Sequence, residues 1–198
     1  MSSAVPAHLP PLILASASPR RRSLLSEHGY TFTVRVSDAE ESAPEHLTPS
    51  EVVIENARVK ARTIAADAPD ALVLAVDTEV FFEGAVLGKP ADMDAAFAML
   101  SRLNGRTHEV YSGVCLLHAA AQREVTFVEI TRVHFHQRID AELRAYLARI
   151  GPLDKAGAYA AQDDRGEMIT QVEGSFTNVI GLPMEALARE LQRFGDLS

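Results

Sequence analysis

The chain has 198 residues, 47% of them hydrophobic and 23% charged, with a formal net charge of −8 at pH 7. That length suits one compact domain with a full core, with or without a smaller lobe, and the composition is that of an ordinary soluble globular protein. The negative balance excludes a surface built to track nucleic-acid phosphates, and no apolar run approaches the roughly 18 residues of a membrane span. Residues 1–11 lack the basic start and apolar core of a signal peptide and read as a flexible lead-in to a single domain over 12–198. A lone cysteine, Cys115, cannot form an internal disulfide, which points to a reducing cytosol. Its apolar neighbours make it a buried, inert thiol.

In chain order, Leu12 to Ala15 reads as a short buried strand, and the segment SASPRRR (Ser16 to Arg22) follows it. Ser18 suits a helix N-cap and Pro19 the first helical position, so a helix should start there and end at Gly29. A strand, a serine loop and a helix N-terminus make an anion site, because free N–H groups and the helix dipole face the ligand. Three arginines in the first turn oppose that dipole, which favours a phosphate site over a solvated basic turn. Thr31 to Val36 alternates like a strand, and a polar, acidic segment with Glu40-Glu41 comes next. Thr48-Pro49-Ser50-Glu51 is a capping box, which predicts a helix from Pro49 to about Ala66. Asn56 and Lys60 share one of its faces, away from the apolar stripe, and such a pair is more often surface than site.

Leu72 to Val76 is an unbroken apolar run, the pattern of a strand buried on both faces, and it should end at Asp77-Thr78. A carboxylate there needs water, a metal or a hydrogen-bonding partner. A turn at Glu83-Gly84 would return Lys89-Pro90 toward it. Two readings stay open: a ligand site, or a turn-capping Asp77 with a solvated Lys89.

Asp92 should cap a helix ending at Asn104-Gly105, and Val110–Leu117 and Val125–His136 read as two strands. His134 and His136 face one side of their strand, but no further ligands cluster nearby, so an exposed face is favoured over a metal site. Asp140 should cap a helix stopped by Gly151-Pro152. Two strand-like pieces then flank Asp163 to Gly166, and a last helix presents Leu187, Leu191 and Phe194 on one face. With no repeat and no linker, one mixed α/β domain is the economical reading.

Taken together, SASPRR, Glu40-Glu41, NARVKA (Asn56 to Ala61), Asp77-Thr78, GKP (Gly88 to Pro90), SRLNGRTHEVYSG (Ser101 to Gly113), DKAGAYAAQ (Asp154 to Gln162) and GSFTNVIGLP (Gly174 to Pro183) resemble the Maf family of nucleoside triphosphate pyrophosphatases. The matches run in the family's order over nearly the whole chain. The resemblance implies an α/β fold similar to that of the inosine triphosphatases, a twisted sheet with flanking helices and two lobes around a cleft, often as a homodimer. It implies hydrolysis of a nucleoside triphosphate to the monophosphate and pyrophosphate with a divalent metal, Mg²⁺ or Mn²⁺. Ser16, Ser18, Arg20 and Arg21 would then hold phosphates, and Lys60 and Lys89 would neutralise the leaving pyrophosphate. Glu41 and Asp77 would bind the metal, and Asp77 matches the family's proton acceptor. An aspartate of ordinary pKa, about 3.9, is a feeble base at neutral pH, so metal-acidified water or simple positioning by Asp77 are equal readings.

Within the family, Arg20, Thr78 and Gln162 match the pattern similar to the dTTP/UTP enzymes rather than the 7-methyl-GTP type. Gln162 has a physical reason to do so. Its amide offers a donor beside an acceptor, complementing the O4 and N3–H of uracil or thymine. Three positions depart from the family pattern: Asp163 where glycine is common, Glu79 where an apolar residue is usual, and Ala160-Ala161 in place of Gly-Ile. All three bear on substrate preference. The expectation is a cytoplasmic enzyme that clears dTTP, UTP and modified pyrimidine triphosphates. The alternatives are a 7-methyl-GTP or purine preference, and a septum-formation regulator that acts by binding.

Overall fold

The computed structural model describes residues 9–44 and 46–196. Most of the expected lead-in, residues 1–8, lies outside the described residues. Among the described residues seven strands, β1 (Leu12–Leu14), β2 (Thr33–Val34), β3 (Leu72–Phe82), β4 (Ala85–Leu87), β5 (Thr107–His118), β6 (Arg123–Phe135) and β7 (Ile169–Glu173), form one sheet. Its order is β2-β1-β3-β5-β6-β7, with β4 attached to β3. The sheet is mixed: β1 runs parallel to β2 and β3, whereas β3–β4 and β6–β7 are antiparallel. The helices are α1 (Pro19–Glu27), α2 (Pro49–Ala65), α3 (Met93–Leu103), α4 (Asp140–Ile150), α5 (Phe176–Ile180) and α6 (Met184–Asp196). Among the described residues no helix is long and apolar enough to cross a membrane.

The described residues divide into two compact units, one within 9–77, 112–129 and 181–196, the other from 78–111 and 130–180. In the first, α1 and α2 are the crossovers that parallel strands require. The Thr48–Glu51 capping box starts α2: Thr48 N–H donates to the Glu51 carboxylate at 2.8 Å, and Glu51 N–H donates to Thr48 Oγ1 at 3.4 Å. Alanines make up part of its inner face. Ala57, Ala61 and Ala65 pack with Ile64 against Ile13, Ala15, Val73, Ala75 and Cys115. Gly113 on β5 completes the close approach, since a Cβ built there would lie 2.3 Å from the carbonyl oxygen of Val53. Helix α6 buries Leu187, Leu191 and Phe194, as its apolar spacing predicts.

The second unit has its own core, in which Leu100 and Leu103 of α3 and Leu143, Tyr146 and Leu147 of α4 join Val80, Val110, Val133, Phe135 and Tyr159. His108 is buried in it, with its ring edge-on to those of Phe135 and Tyr159 and Nε2 3.0 Å from the Tyr159 hydroxyl. Burial pushes this imidazole down to about 3, helped by the charge of His134.

The structure departs from the sequence expectations at four places. Strand β3 does not end at Asp77 but runs on to Phe82, because β4 supplies a new antiparallel partner from Val80. Only Thr33–Val34 of the expected 31–36 strand pairs, since its partner β1 is three residues long. Asp140 is the first residue of α4 rather than its cap; Ile139 takes the cap position, its N–H bonded to Glu142 at 3.0 Å. Around Asp163 a 3-10 turn replaces the first strand-like piece, because Asp164 turns inward to bind backbone N–H groups, and β7 is the second. Beyond these four, Phe176–Ile180, for which no element was expected, forms the short helix α5, begun by Ser175 Oγ accepting from Asn178 N–H at 3.2 Å.

Two outcomes follow from this packing. Gly113→Ala forces a methyl into the backbone of α2 and is expected to cost about 1–3 kcal/mol, measured by urea denaturation; an unchanged midpoint would mean that the helix is free to retreat. The folded protein keeps His108 neutral down to pH of about 3, whereas the unfolded chain takes up a proton below about 6.5. Stability therefore falls as pH drops through this window, by up to about 1.4 kcal/mol per unit, and His108→Phe should flatten that slope in pH-dependent denaturation curves.

Candidate active site

Asp77 lies where β3 changes partners: β1 has ended at the Leu14–Leu74 pair, and β4 begins only at Val80. Its carboxylate is buried, 3% exposed, and both oxygens are occupied. Lys60 Nζ donates to Oδ1 at 2.7 Å, and Asn56 Nδ2 donates to Oδ2 at 3.0 Å. One helical turn separates those two donors on α2, so the helix that packs on the sheet delivers both to one strand residue. The pair that sequence spacing assigned to the surface is therefore buried against a charge.

Lys60 also reaches Glu41, with Nζ 2.6 Å from Oε1, so one ammonium serves two carboxylates. Asn56 reaches the same loop: its Oδ1 accepts the N–H of Ser42 at 2.9 Å. The acidic loop is thus tied to α2 at two consecutive residues, which places an otherwise exposed Glu41. Glu79 follows Asp77 by two along β3, and one oxygen each of Glu41, Asp77 and Glu79 lie within 4.8 Å of one another. Clustered carboxylate oxygens are the donor set of a hard divalent cation.

The second constellation sits at the start of α1. Ser18 caps the helix, its Oγ accepting the N–H of Arg21 at 3.5 Å, and its own N–H donates to Ser16 Oγ at 3.2 Å. The Arg21 guanidinium donates to Ser16 Oγ at 3.1 Å and to the Gly181 carbonyl at 2.8 Å, fixing the serine loop. The first turn holds no acidic residue, and Arg20 is partly exposed on it. Loop, cap and arginines leave a basic helix N-terminus of the kind that receives phosphate.

In the second unit, Thr78 is half-buried on β3, and Lys89 is exposed two residues beyond the end of β4. Gln162 is exposed on a 3-10 turn, Ala161–Asp163. His134 contacts Thr107 Oγ1 at 2.8 Å and Glu173 at 3.1 Å, so it serves cross-strand pairing on the sheet face. The sequence reading left Asn56 and Glu79 out of the site. The first was visible only as a partner of Lys60. The second shares a strand face with Asp77, a signal lost once the strand was ended at Asp77.

Asn56→Ala removes a donor from a buried carboxylate and an acceptor from a backbone N–H, which should cost about 1–3 kcal/mol of stability. Asn56→Asp keeps the size but sets a second carboxylate against Asp77, and should cost more than alanine does. Denaturation of both variants checks the order, and an Asp variant as stable as the parent would refute the bridge.

A family model described as "Maf-like protein" matches residues 11–194. A dTTP/UTP pyrophosphatase of Salinibacter ruber is 49% identical over 189 residues, covering 94% of this chain and 93% of the relative. Those of Pelotomaculum thermopropionicum and Bacillus anthracis are 45% and 42% identical, each over at least 92% of either chain. Among solved structures, the Ham1 protein of Staphylococcus aureus superimposes with a TM-score of 0.55 at 14% identity, over 92% of this chain and 98% of that one. That likeness speaks for the fold alone. With the family model spanning nearly all of the described chain, this protein belongs to the Maf-like proteins.

Proposed function

We propose that this protein hydrolyses dTTP and UTP to the monophosphate and pyrophosphate, as a cytoplasmic enzyme that clears pyrimidine triphosphates. One observation carries the reading: a buried Asp77 held on both oxygens by Lys60 and Asn56, with Glu41 on the same lysine. Three relatives of 42–49% identity named for this activity support it, and they favour neither the 7-methyl-GTP alternative nor a purely binding role.

The oxygen cluster fits Mg²⁺ or Mn²⁺, with Glu41 and Asp77 as ligands and Glu79 as a third. When bound, such a cation acidifies water and offsets phosphate charge. The remaining work belongs to the chain. Lys60 and Asn56 use one lone pair of each Asp77 oxygen, so each keeps capacity to orient the attacking water and take its proton. Ser16, Ser18, Arg20, Arg21 and the N-terminus of α1 hold the phosphates, which leaves Lys60 and Lys89 to neutralise the departing pyrophosphate. Gln162 reads the O4 and N3–H edge of uracil or thymine, and Thr78 and Arg20 belong to the same selective set.

The test is pyrophosphate release from dTTP, UTP, CTP, GTP and 7-methyl-GTP with Mg²⁺ or Mn²⁺. Turnover of dTTP and UTP is expected, falling about 10²–10⁴-fold in Asp77→Asn. Turnover of the guanine nucleotides alone would overturn the substrate assignment, and an unaffected Asp77→Asn would overturn the mechanism.

A further inference from the structure

An exposed amide selects a base only when the backbone beneath it is held still, because ordering a loose loop on binding consumes the affinity that selection needs. The turn that carries Gln162 is held from both sides by α4. The Tyr146 hydroxyl accepts the N–H of Ala160 at 3.1 Å, two residues before Gln162. Arg149 Nη1 donates to the carbonyl of Asp163 at 3.2 Å, one residue after it. These two residues are one turn apart on α4, and the guanidinium lies 5.3 Å from the Tyr146 ring centre. Arg149 Nη2 also binds the Glu167 carboxylate at 2.9 Å, and Arg138 Nε binds the Glu167 carbonyl at 2.7 Å. Beyond the turn, buried Asp164 accepts the N–H groups of Met168 and Ile169, both at 2.9 Å.

The family's usual glycine after Gln162 is replaced here by Asp163. Its backbone is not in the positive-φ region, so the turn needs no glycine. What the position contributes instead is a carbonyl presented to Arg149.

We propose that Tyr146 and Arg149 are positioning residues for nucleotide selection, clamping the Ala160–Asp163 turn so that Gln162 presents its amide in one orientation. This rests on the reading of Gln162 as the base-reading residue. Neither side chain is asked to touch the nucleotide; both act through the turn. Cytosine carries a donor and an acceptor where uracil has the reverse, so the ratio of kcat/KM for UTP over CTP reports the orientation of the amide.

The experiment measures kcat and KM for UTP, dTTP, CTP and GTP in the parent, Gln162→Ala, Arg149→Ala, Arg149→Lys, Tyr146→Phe and the Gln162→Ala/Arg149→Ala double variant. Tyr146→Phe keeps the buried ring and removes only the hydroxyl, and Arg149 lies at the surface, so these variants are expected to fold, with melting curves as the check. The expected result is that Gln162→Ala narrows the UTP/CTP ratio about tenfold, and that Arg149→Ala and Tyr146→Phe narrow it about threefold or more through KM, with kcat within about twofold. Arg149→Lys should recover part of the loss, and Arg149→Ala should add nothing to the ratio in the Gln162→Ala background. If Gln162→Ala narrows the ratio while both α4 variants leave it unchanged, the clamp is overturned and the reading of Gln162 stands. If Arg149→Ala weakens every nucleotide alike, with or without Gln162, its role is general stability and the clamp is likewise overturned. If Gln162→Ala itself leaves the ratio untouched, the base-reading assignment falls and the clamp falls with it.

Discussion

The first unit is arranged around one buried ion pair, Lys60 with Asp77. Taking a carboxylate out of water costs several kcal/mol unless its charge is met in place, and a lysine alone would leave one oxygen uncompensated. Here α2 brings an ammonium to one oxygen and an amide to the other. The helix can do so only because its alanine face, and the absence of a side chain at Gly113, let it lie close against the sheet. Such a pair is poor value as a stabiliser, since apolar residues of similar volume often serve a core as well. Its presence in the midst of a well-packed sheet points to chemistry.

The same lysine gives the acidic loop its place. Glu41 is bound through its side chain and Ser42 through its backbone, so a surface segment is drawn to Asp77 by two groups of α2. An ammonium between two carboxylates occupies the electrostatic niche of a cation. At the start of α1 the division of labour differs: Arg21 is bound within the loop, while Arg20 stays partly exposed. Adjacent arginines thus differ in setting, Arg21 being fixed within the loop that both are proposed to use for phosphate.

What was legible in the sequence was what local chemistry decides. Ser18 with Pro19, the Thr48–Glu51 box and Asp92 each announced a helix start, because a cap and its N–H partner lie within one turn. Motif order carried the family. The failures lie where a distant partner decides. Nothing within Thr31–Val36 says that its neighbour offers three residues for pairing, and nothing near Asp77 says that β4 will carry β3 on to Phe82. Asn56 looked like a surface polar residue because its partners, Ser42 and Asp77, are 14 and 21 residues away. The piece before Asp163 reads as strand because Asp164, which binds backbone N–H groups beyond it, resembles any solvated acid until those partners are seen.

Cys115 lies fully buried against the alanine face of α2, its thiol pushed up to about 12 chiefly by burial. Oxidants and electrophiles act on thiolates, and the folded protein offers them essentially none. The chain's single sulfhydryl is therefore sealed by the same helix that carries Asn56 and Lys60. A displacement of α2 that uncovered this thiol would also draw those two side chains away from Asp77, so exposure of the sulfur would report on the integrity of the site.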